Sequence, residues 1–466
     1  MSPPSACFIE IIDRFIRNYP FYRLKTHCYT YYIAKDEKVQ EKTGGMKDMR
    51  KKKIGPILLS GLIIGPILGS GIIILPPLIF RTIGDYALVA WLLTMIVSFV
   101  FAAVFGRLYI RFPGDSGAAQ AVEQALGKPF RNLGAMFLII AVCLGPIAVL
   151  STASDYLSLW TGKDSPFILL ALLMLVYAGV SMSITSLGRL SLILSSSITV
   201  LLVSGALHSL LFARGRIDFS TPFQLPAFGY SLLLLFWCLV GWEVIGNYTG
   251  EVRQPKKTIH RAIIFSCLVI AVVSLTVAAA VQWVDPEKLH VPVSGKLDLI
   301  LSSLFGSRAK PLIALITAAL CLSTVIMVIG GVSRLIAAQA DKGIFPAPLA
   351  YRNKKGVPVA ALSVMFSVHL TVFLLAELRL ITLVQIIAIA NTFFLGNAFL
   401  GLVAAFRLLE EKWIRWSSVF LGIGLLSLLI FTAKWVLVAI VGMTVWTWLR
   451  TVHARHPASS IRKKEH

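Results

Sequence analysis

Residues 54–80 constrain this chain more than any other stretch, because they are apolar enough to cross a bilayer and yet are written to break. A membrane crossing takes about 20 apolar residues at 1.5 Å rise each. The stretch carries Gly55, Gly61, Gly65, Gly69 and Gly71 together with Pro56, Pro66, Pro76 and Pro77. Glycine lowers helix propensity, and an interior proline removes a backbone hydrogen bond. In lipid the freed N–H and C=O groups must be satisfied by protein or by a water-lined cavity. A helix interrupted near Gly69-Ser70-Gly71 therefore points to a ligand site at mid-membrane depth. Close packing of small residues against a neighbouring helix is the alternative that this segment leaves open.

The remaining sequence repeats the apolar theme. Of 466 residues, 57% are hydrophobic and 14% charged, against about 25% charged in soluble chains. The fold class is all-α and membrane-integral. Apolar runs near 86–106, 133–160, 166–187, 190–213, 228–250, 259–284, 309–338, 357–376, 380–405, 415–432 and 434–450 bring the total to about twelve crossings. Residues 1–53 read as a polar cytoplasmic segment without a leader, 54–450 as the transmembrane domain and 451–466 as a basic cytoplasmic tail. Met46 and Met49 precede the basic run Arg50-Lys51-Lys52-Lys53, so residues 1–45 are expected to be dispensable, as an over-extended start.

The excess of 44 Lys+Arg over 22 Asp+Glu lies between apolar runs and is read as membrane orientation, not nucleic-acid binding. It concentrates on the side holding both termini, which the positive-inside rule makes cytoplasmic. Residues 107–132 could hold a short amphipathic cytoplasmic helix, and part of 285–308 could lie along the outer surface. No paired-cysteine motif appears, and each cysteine reads as a small apolar residue.

Residues 228–250 form the sixth run and the second interrupted one, with Gly241 in its middle and Gly246 beyond. If the first ten runs are two halves of five, runs one and six correspond, and an odd number per half inserts the second half upside down. Paired broken segments mark a transporter site. The resumed half of run one offers free N–H groups and a positive dipole end to a carboxylate, and the break in run six exposes carbonyls to an ammonium group. Ile72, Trp237, Cys238, Leu239 and Val240 surround the breaks without a fixed charge, which favours neutral, apolar substrates. Glu243 is the one acid inside run six. An intramembrane carboxylate costs about 2.5–3.5 kcal/mol to insert and suggests function. It either carries a coupling proton or holds the break in shape through backbone hydrogen bonds; both readings stay open.

Several motifs resemble the amino acid–polyamine–organocation (APC) superfamily. Gly69-Ser70-Gly71-Ile72 with Leu75-Pro76 is similar to its opening stretch, and Phe236-Trp237-Cys238-Leu239-Val240-Gly241-Trp242-Glu243 to its sixth-helix pattern. Pro113, Gly117, Ala119 and Gly127, the Glu251, Pro255 and Arg261-Ala262-Ile263 tail, and Ser333-Arg334-Leu335 through Asp341, Gly343 and Pro346 follow in the family's order. Leu144-Gly145-Pro146 and Ala390-Asn391 look most like bacterial exporters of methionine, leucine, isoleucine and valine, although Trp242 is bulkier than their pattern and leaves the pocket size open.

The resemblance implies a five-plus-five inverted repeat (LeuT-like) with broken helices one and six and two extra C-terminal helices. Gly69, Ser70 and Gly71 would bind the substrate carboxylate. The region of Trp237, Cys238, Val240 and Gly241 would receive the amino group, with Trp237 as an aromatic gate. Ile72, Gly145 and Asn391 are further pocket candidates, Asn391 having an interhelical hydrogen bond as its alternative. Glu243 would couple to protons, and no cofactor is implied beyond the proton gradient. Ser323 and Thr324 could offer sodium two oxygens, but the resemblance favours protons. Arg334 and Asp341, seven apart on one helical face, and Glu251, able to reach Arg261, would form an inner gate of surface-type pairs.

The implied function is proton-coupled export of neutral amino acids, with import, exchange of another specificity, or amino-acid sensing on the same fold as alternatives; a homodimer is left open. No zinc-protease helix, nucleophile elbow or Walker motif supports an enzyme or an ATP-driven pump. His208 and His369 stand alone and read as satisfied helix polars.

Overall fold

In a computed structural model of the chain, the described residues are 54–114, 117–182, 184–213, 215, 220–285, 296–431 and 434–455. The proposed N-terminal segment, including Met46 and the basic run after it, and residues 456–466 lie outside them. Among the described residues the regular structure is helical, joined by turns and loops, with one isolated parallel bridge between Ile54 and Val252.

Sixteen α-helices follow in order: α1 (Pro56–Leu68), α2 (Gly71–Ile83), α3 (Ala87–Arg111), α4 (Ala119–Leu126), α5 (Lys128–Thr161), α6 (Ser165–Val180), α7 (Ile184–Phe212) and α8 (Leu225–Leu235). After them come α9 (Trp242–Ile245), α10 (Pro255–Trp283), α11 (Lys296–Phe305), α12 (Ala309–Asp341), α13 (Val359–Glu377), α14 (Leu383–Leu408), α15 (Lys412–Leu428) and α16 (Lys434–Arg455). Eight helical stretches among the described residues are long and apolar enough to cross a membrane, the first running through α1, α2 and α3 from Pro56 to Arg111.

Local chemistry explains many boundaries. Proline occupies the first turn of α1, α5, α6, α8 and α10, where its missing N–H costs nothing. Thr382 starts α14 with a reciprocal capping box to Gln385. The expected amphipathic helix in 107–132 is α4, with Ala119, Ala121 and Val122 buried. Within the expected outer segment, α11 is helical, with Ile300 and Leu301 buried, Leu304 exposed and the Ile300 carbonyl accepting from Ser209 of α7. α16 continues past the expected end at residue 450 to Arg455.

The centre is α12, whose described residues are buried along nearly the whole helix, with α5, α1 and α7 packed on it. Small residues let backbones approach: a Cβ on Gly61 would stand 2.7 Å from Leu192 of α7, and one on Gly331 2.7 Å from Val244 of α9.

Candidate functional site

Both breaks expected from the glycine pattern are present, and they face each other. α1 stops at Leu68, Gly69 takes φ 38° and ψ −149°, and α2 starts at Gly71 without a side-chain cap from Ser70. The first N–H groups of α2 are therefore at a helix N-terminus, which lacks intrahelical partners and carries the positive dipole end. α8 ends at Leu235, Phe236–Cys238 form a 3-10 turn, and Gly241 takes φ 131° before the short α9. A Cβ on Gly241 would lie 3.0 Å from Ile67 of α1, so one break seats on the other. Trp237 Nε1–H approaches Ser70 Oγ at 3.4 Å, and Cys238 Sγ lies 3.1 Å from the place a Cβ on Gly71 would take.

A cavity of about 30 Å³ lies between these elements, α5, α12 and α14. It has room for a water or two but none for an amino acid. Pro66, Gly145, Pro146, Val149, Trp237, Val240, Thr324, Val325, Val328 and Phe394 line it. Gly145, Trp237 and Val240, pocket candidates from the sequence, are among the lining. Gly69, Ser70, Gly71, Cys238 and Gly241 frame the breaks beside the cavity, while Ile72 is buried in α2 and is not among the lining. Asn391 follows Ala390, which would be 3.6 Å from a Cβ on Gly145; its Oδ1 is buried without a hydrogen-bond partner, so that oxygen does not make the anticipated interhelical bond.

Sequence reasoning missed Pro66, Pro146, Val149, Val325, Val328 and Phe394, which look like ordinary core residues until the helices pack. Trp242 does not narrow the cavity: its Nε1–H donates to Ser98 on α3 at 3.1 Å.

Glu243 is buried at 1% exposure. Its Oε2 accepts from the Gly241 N–H at 3.2 Å, and its own carbonyl accepts from Tyr109 at 3.0 Å. Its Oε1 is buried with no partner. The carboxyl group therefore braces the turn with one oxygen and leaves the other for a proton or a water. Ser323 and Thr324 do turn towards α1: Thr324 Oγ1 lies 3.3 Å from the Gly65 carbonyl, and Ser191 Oγ lies 2.7 Å from the Gly61 carbonyl and 3.0 Å from Ser323 Oγ. These hydroxyls satisfy one another and the glycine carbonyls, and a Cβ on Gly65 would collide with Ser323 Oγ.

The expected inner-gate residues are rearranged. Glu251 pairs with Arg334 at 3.2 Å, not with Arg261, and the pair is largely buried (side-chain exposures 16% and 5%), not surface-type. Arg334 also stacks over Tyr248 at 5.0 Å, whose hydroxyl donates to the Met327 carbonyl. Asp341 shares the helix face with Arg334 as the spacing requires but pairs with Arg352 at 2.7 Å. Sequence reasoning missed the neighbouring cluster in which Glu123 of α4 pairs with Arg131 at 2.7 Å and Lys342 at 3.7 Å. Burial, and then Arg131, hold the Lys342 ammonium below the usual lysine range. The start of α1 is tied in through the backbone, since the Ile54 N–H donates to Glu251 and the Arg253 N–H to Ile54. At the opposite end Asp85 Oδ2 accepts from the N–H groups of Ser220 and Thr221, and Gln282 bridges Asp85 and Leu88.

A profile of the family described as amino acid permease matches residues 54–452. The chain is 24% identical over 424 residues to the L-methionine/branched-chain amino acid exporter YjeH of Escherichia coli K12, covering 88% of this chain and 99% of that protein. It is also 24% identical over 354 residues to the cadaverine/lysine antiporter of the same organism, covering 73% of this chain and 76% of that protein.

Proposed function

The chain belongs to the amino acid permease family of the APC superfamily, and from that premise we propose that it exports neutral, apolar amino acids such as methionine, leucine, isoleucine and valine by proton antiport. It is a multi-pass membrane transporter, not an enzyme. In this reading twelve crossings build two inverted halves of five plus two further helices. Both termini lie in the cytoplasm, and the closed cavity alternates between the two sides of the plasma membrane.

The observation that carries the substrate class is the lining. Among the cavity residues only Thr324 and Trp237 bear side-chain polar groups, and none carries charge. A substrate with a third charge would leave it desolvated and unpaired, which costs several kcal/mol even after relaxation. A zwitterion meets the N-terminus of α2 and the carbonyls of the broken sixth segment instead. The relative that handles methionine and branched-chain amino acids covers more of the chain than the cadaverine/lysine antiporter does.

Glu243 is the coupling residue in this reading, because its partnerless oxygen allows a neutral carboxyl while the site is closed and a charged one when water enters. Efflux and uptake of labelled methionine, leucine, lysine and glutamate in proteoliposomes, with and without a pH gradient, test both parts. Glu243→Gln should keep exchange of amino acid for amino acid and lose the response to the gradient. An unchanged response removes Glu243 from coupling, and loss of substrate binding makes it a brace for the Gly241 turn. Lysine or glutamate preferred over leucine overturns the substrate class.

A further inference from the structure

α5 carries Pro146 in its interior. A proline there withholds the N–H that would have bonded the carbonyl four residues earlier, and its ring pushes that carbonyl aside. The stranded carbonyl belongs to Val142, which is fully buried. A buried backbone acceptor without a partner is costly, and more so in lipid, where no water replaces the bond.

The missing donor comes from another helix. His369, fully buried on α13, places Nε2 at 2.8 Å from the Val142 carbonyl oxygen, and its Nδ1 lies 2.7 Å from the Tyr177 hydroxyl of α6. A carbonyl oxygen can only accept, so Nε2 carries the proton; in the neutral ring Nδ1 then accepts from Tyr177. Three helices meet at a single bond created by one proline. Gly145 and Pro146, at the interrupted bond, line the cavity.

We propose that His369 is a positioning residue for the transport site: by supplying the hydrogen bond that Pro146 denies Val142, it holds the backbone of α5 at the proline and so sets Gly145 and Pro146 against the substrate. The inference rests on the reading of the cavity as the amino-acid site, but not on which amino acid is carried. α13 is otherwise an apolar helix with much of its surface turned outward, and a polar, fully buried ring on it is explained by the proline one helix away. Tyr177 orients the ring, because an imidazole held at Nδ1 presents Nε2 in a fixed direction.

The test compares the wild-type protein with His369→Leu, His369→Gln and Tyr177→Phe, purified and reconstituted at equal folded amounts. The labelled panel includes neutral, basic and acidic amino acids, so the substrate that the wild type carries provides the KM. His369→Leu should raise that KM roughly tenfold, the factor equivalent to about 1.4 kcal/mol, with a smaller change in kcat. His369→Gln, whose amide N–H can reach the same carbonyl, should bring KM back to within about threefold of wild type, less than half a decade on the same scale. Tyr177→Phe should fall between them.

A second readout needs no substrate: the distance between nitroxides on Asn132→Cys and Thr161→Cys, in a background with the native cysteines replaced, spans Pro146 and should shift and broaden in His369→Leu. A purely structural histidine would lower the yield of folded protein yet leave KM and this distance unchanged in what folds, and that result overturns the proposal. So does a folded His369→Gln that behaves like His369→Leu. A wild type that prefers lysine or glutamate refutes the proposed substrate class alone, since KM and the spin-label distance still judge His369.

Discussion

Gly145→Ala separates a site residue from a packing residue without damaging the fold. A Cβ at this position would stand 3.6 Å from Ala390 Cβ, 3.9 Å from Phe394 and 4.0 Å from Trp237, all ordinary van der Waals separations. Nothing need move, and alanine in place of glycine inside a helix is favourable by about 0.5–1 kcal/mol. The melting temperature should therefore hold or rise slightly. The added methyl nevertheless approaches Phe394 and Trp237, two walls of a cavity of only about 30 Å³.

A leucine or methionine side chain seated there must yield one methyl's worth of space. One methylene in an apolar pocket is worth about 1–3 kcal/mol, or 10–200-fold in discrimination. The half-saturation for leucine counterflow in proteoliposomes should rise at least tenfold by that measure, whereas that for alanine, which does not reach the wall, should change by less than about threefold. Equal losses for the two substrates would place Gly145 outside the side-chain pocket, and a fall of several degrees in melting temperature would show that the packing argument is wrong.

Two further perturbations address the break and the inner closure. Gly71→Val should abolish substrate binding, because a branched side chain would overlap the space that lies 3.1 Å from Cys238 Sγ and 3.4 Å from Trp237, whereas Ser70→Ala should do much less since its N–H survives. Binding of amino-acid amides as tightly as of free acids would refute the carboxylate contact. Arg334→Met should destabilise the form held by this pair by about 3–5 kcal/mol, the range for stranding one member of a buried pair, and increase the accessibility of cysteines introduced beside it. Arg334→Met combined with Glu251→Leu should recover much of the loss in a double-mutant cycle, and no recovery would mean that the pair does not hold the closure.

The elements that sequence reasoning recovered are those governed by local chemistry. Gly69 and Gly241 sit at positive φ, where a Cβ is disfavoured, so glycine in an apolar run marks the break before any packing is known. The short helix Ala119–Leu126 follows equally from local pattern. The family follows from the same positions, because a backbone that must open in lipid restricts which residues can occupy it.

Partnership was decided by tertiary structure. Glu251 had several cations within sequence reach, and the distances between helices, not their order, gave it Arg334 and gave Asp341 Arg352. Val325, Val328 and Phe394 look identical to any other core residue along the chain, and only the crossing of α12 and α14 over α5 brings them to the cavity. His369 and Pro146 are 223 positions apart, yet one answers the backbone vacancy the other creates. Periodicity and propensity report which face of a helix is apolar, whereas a contact between two such faces depends on how the helices cross, which the residues of one helix do not encode alone.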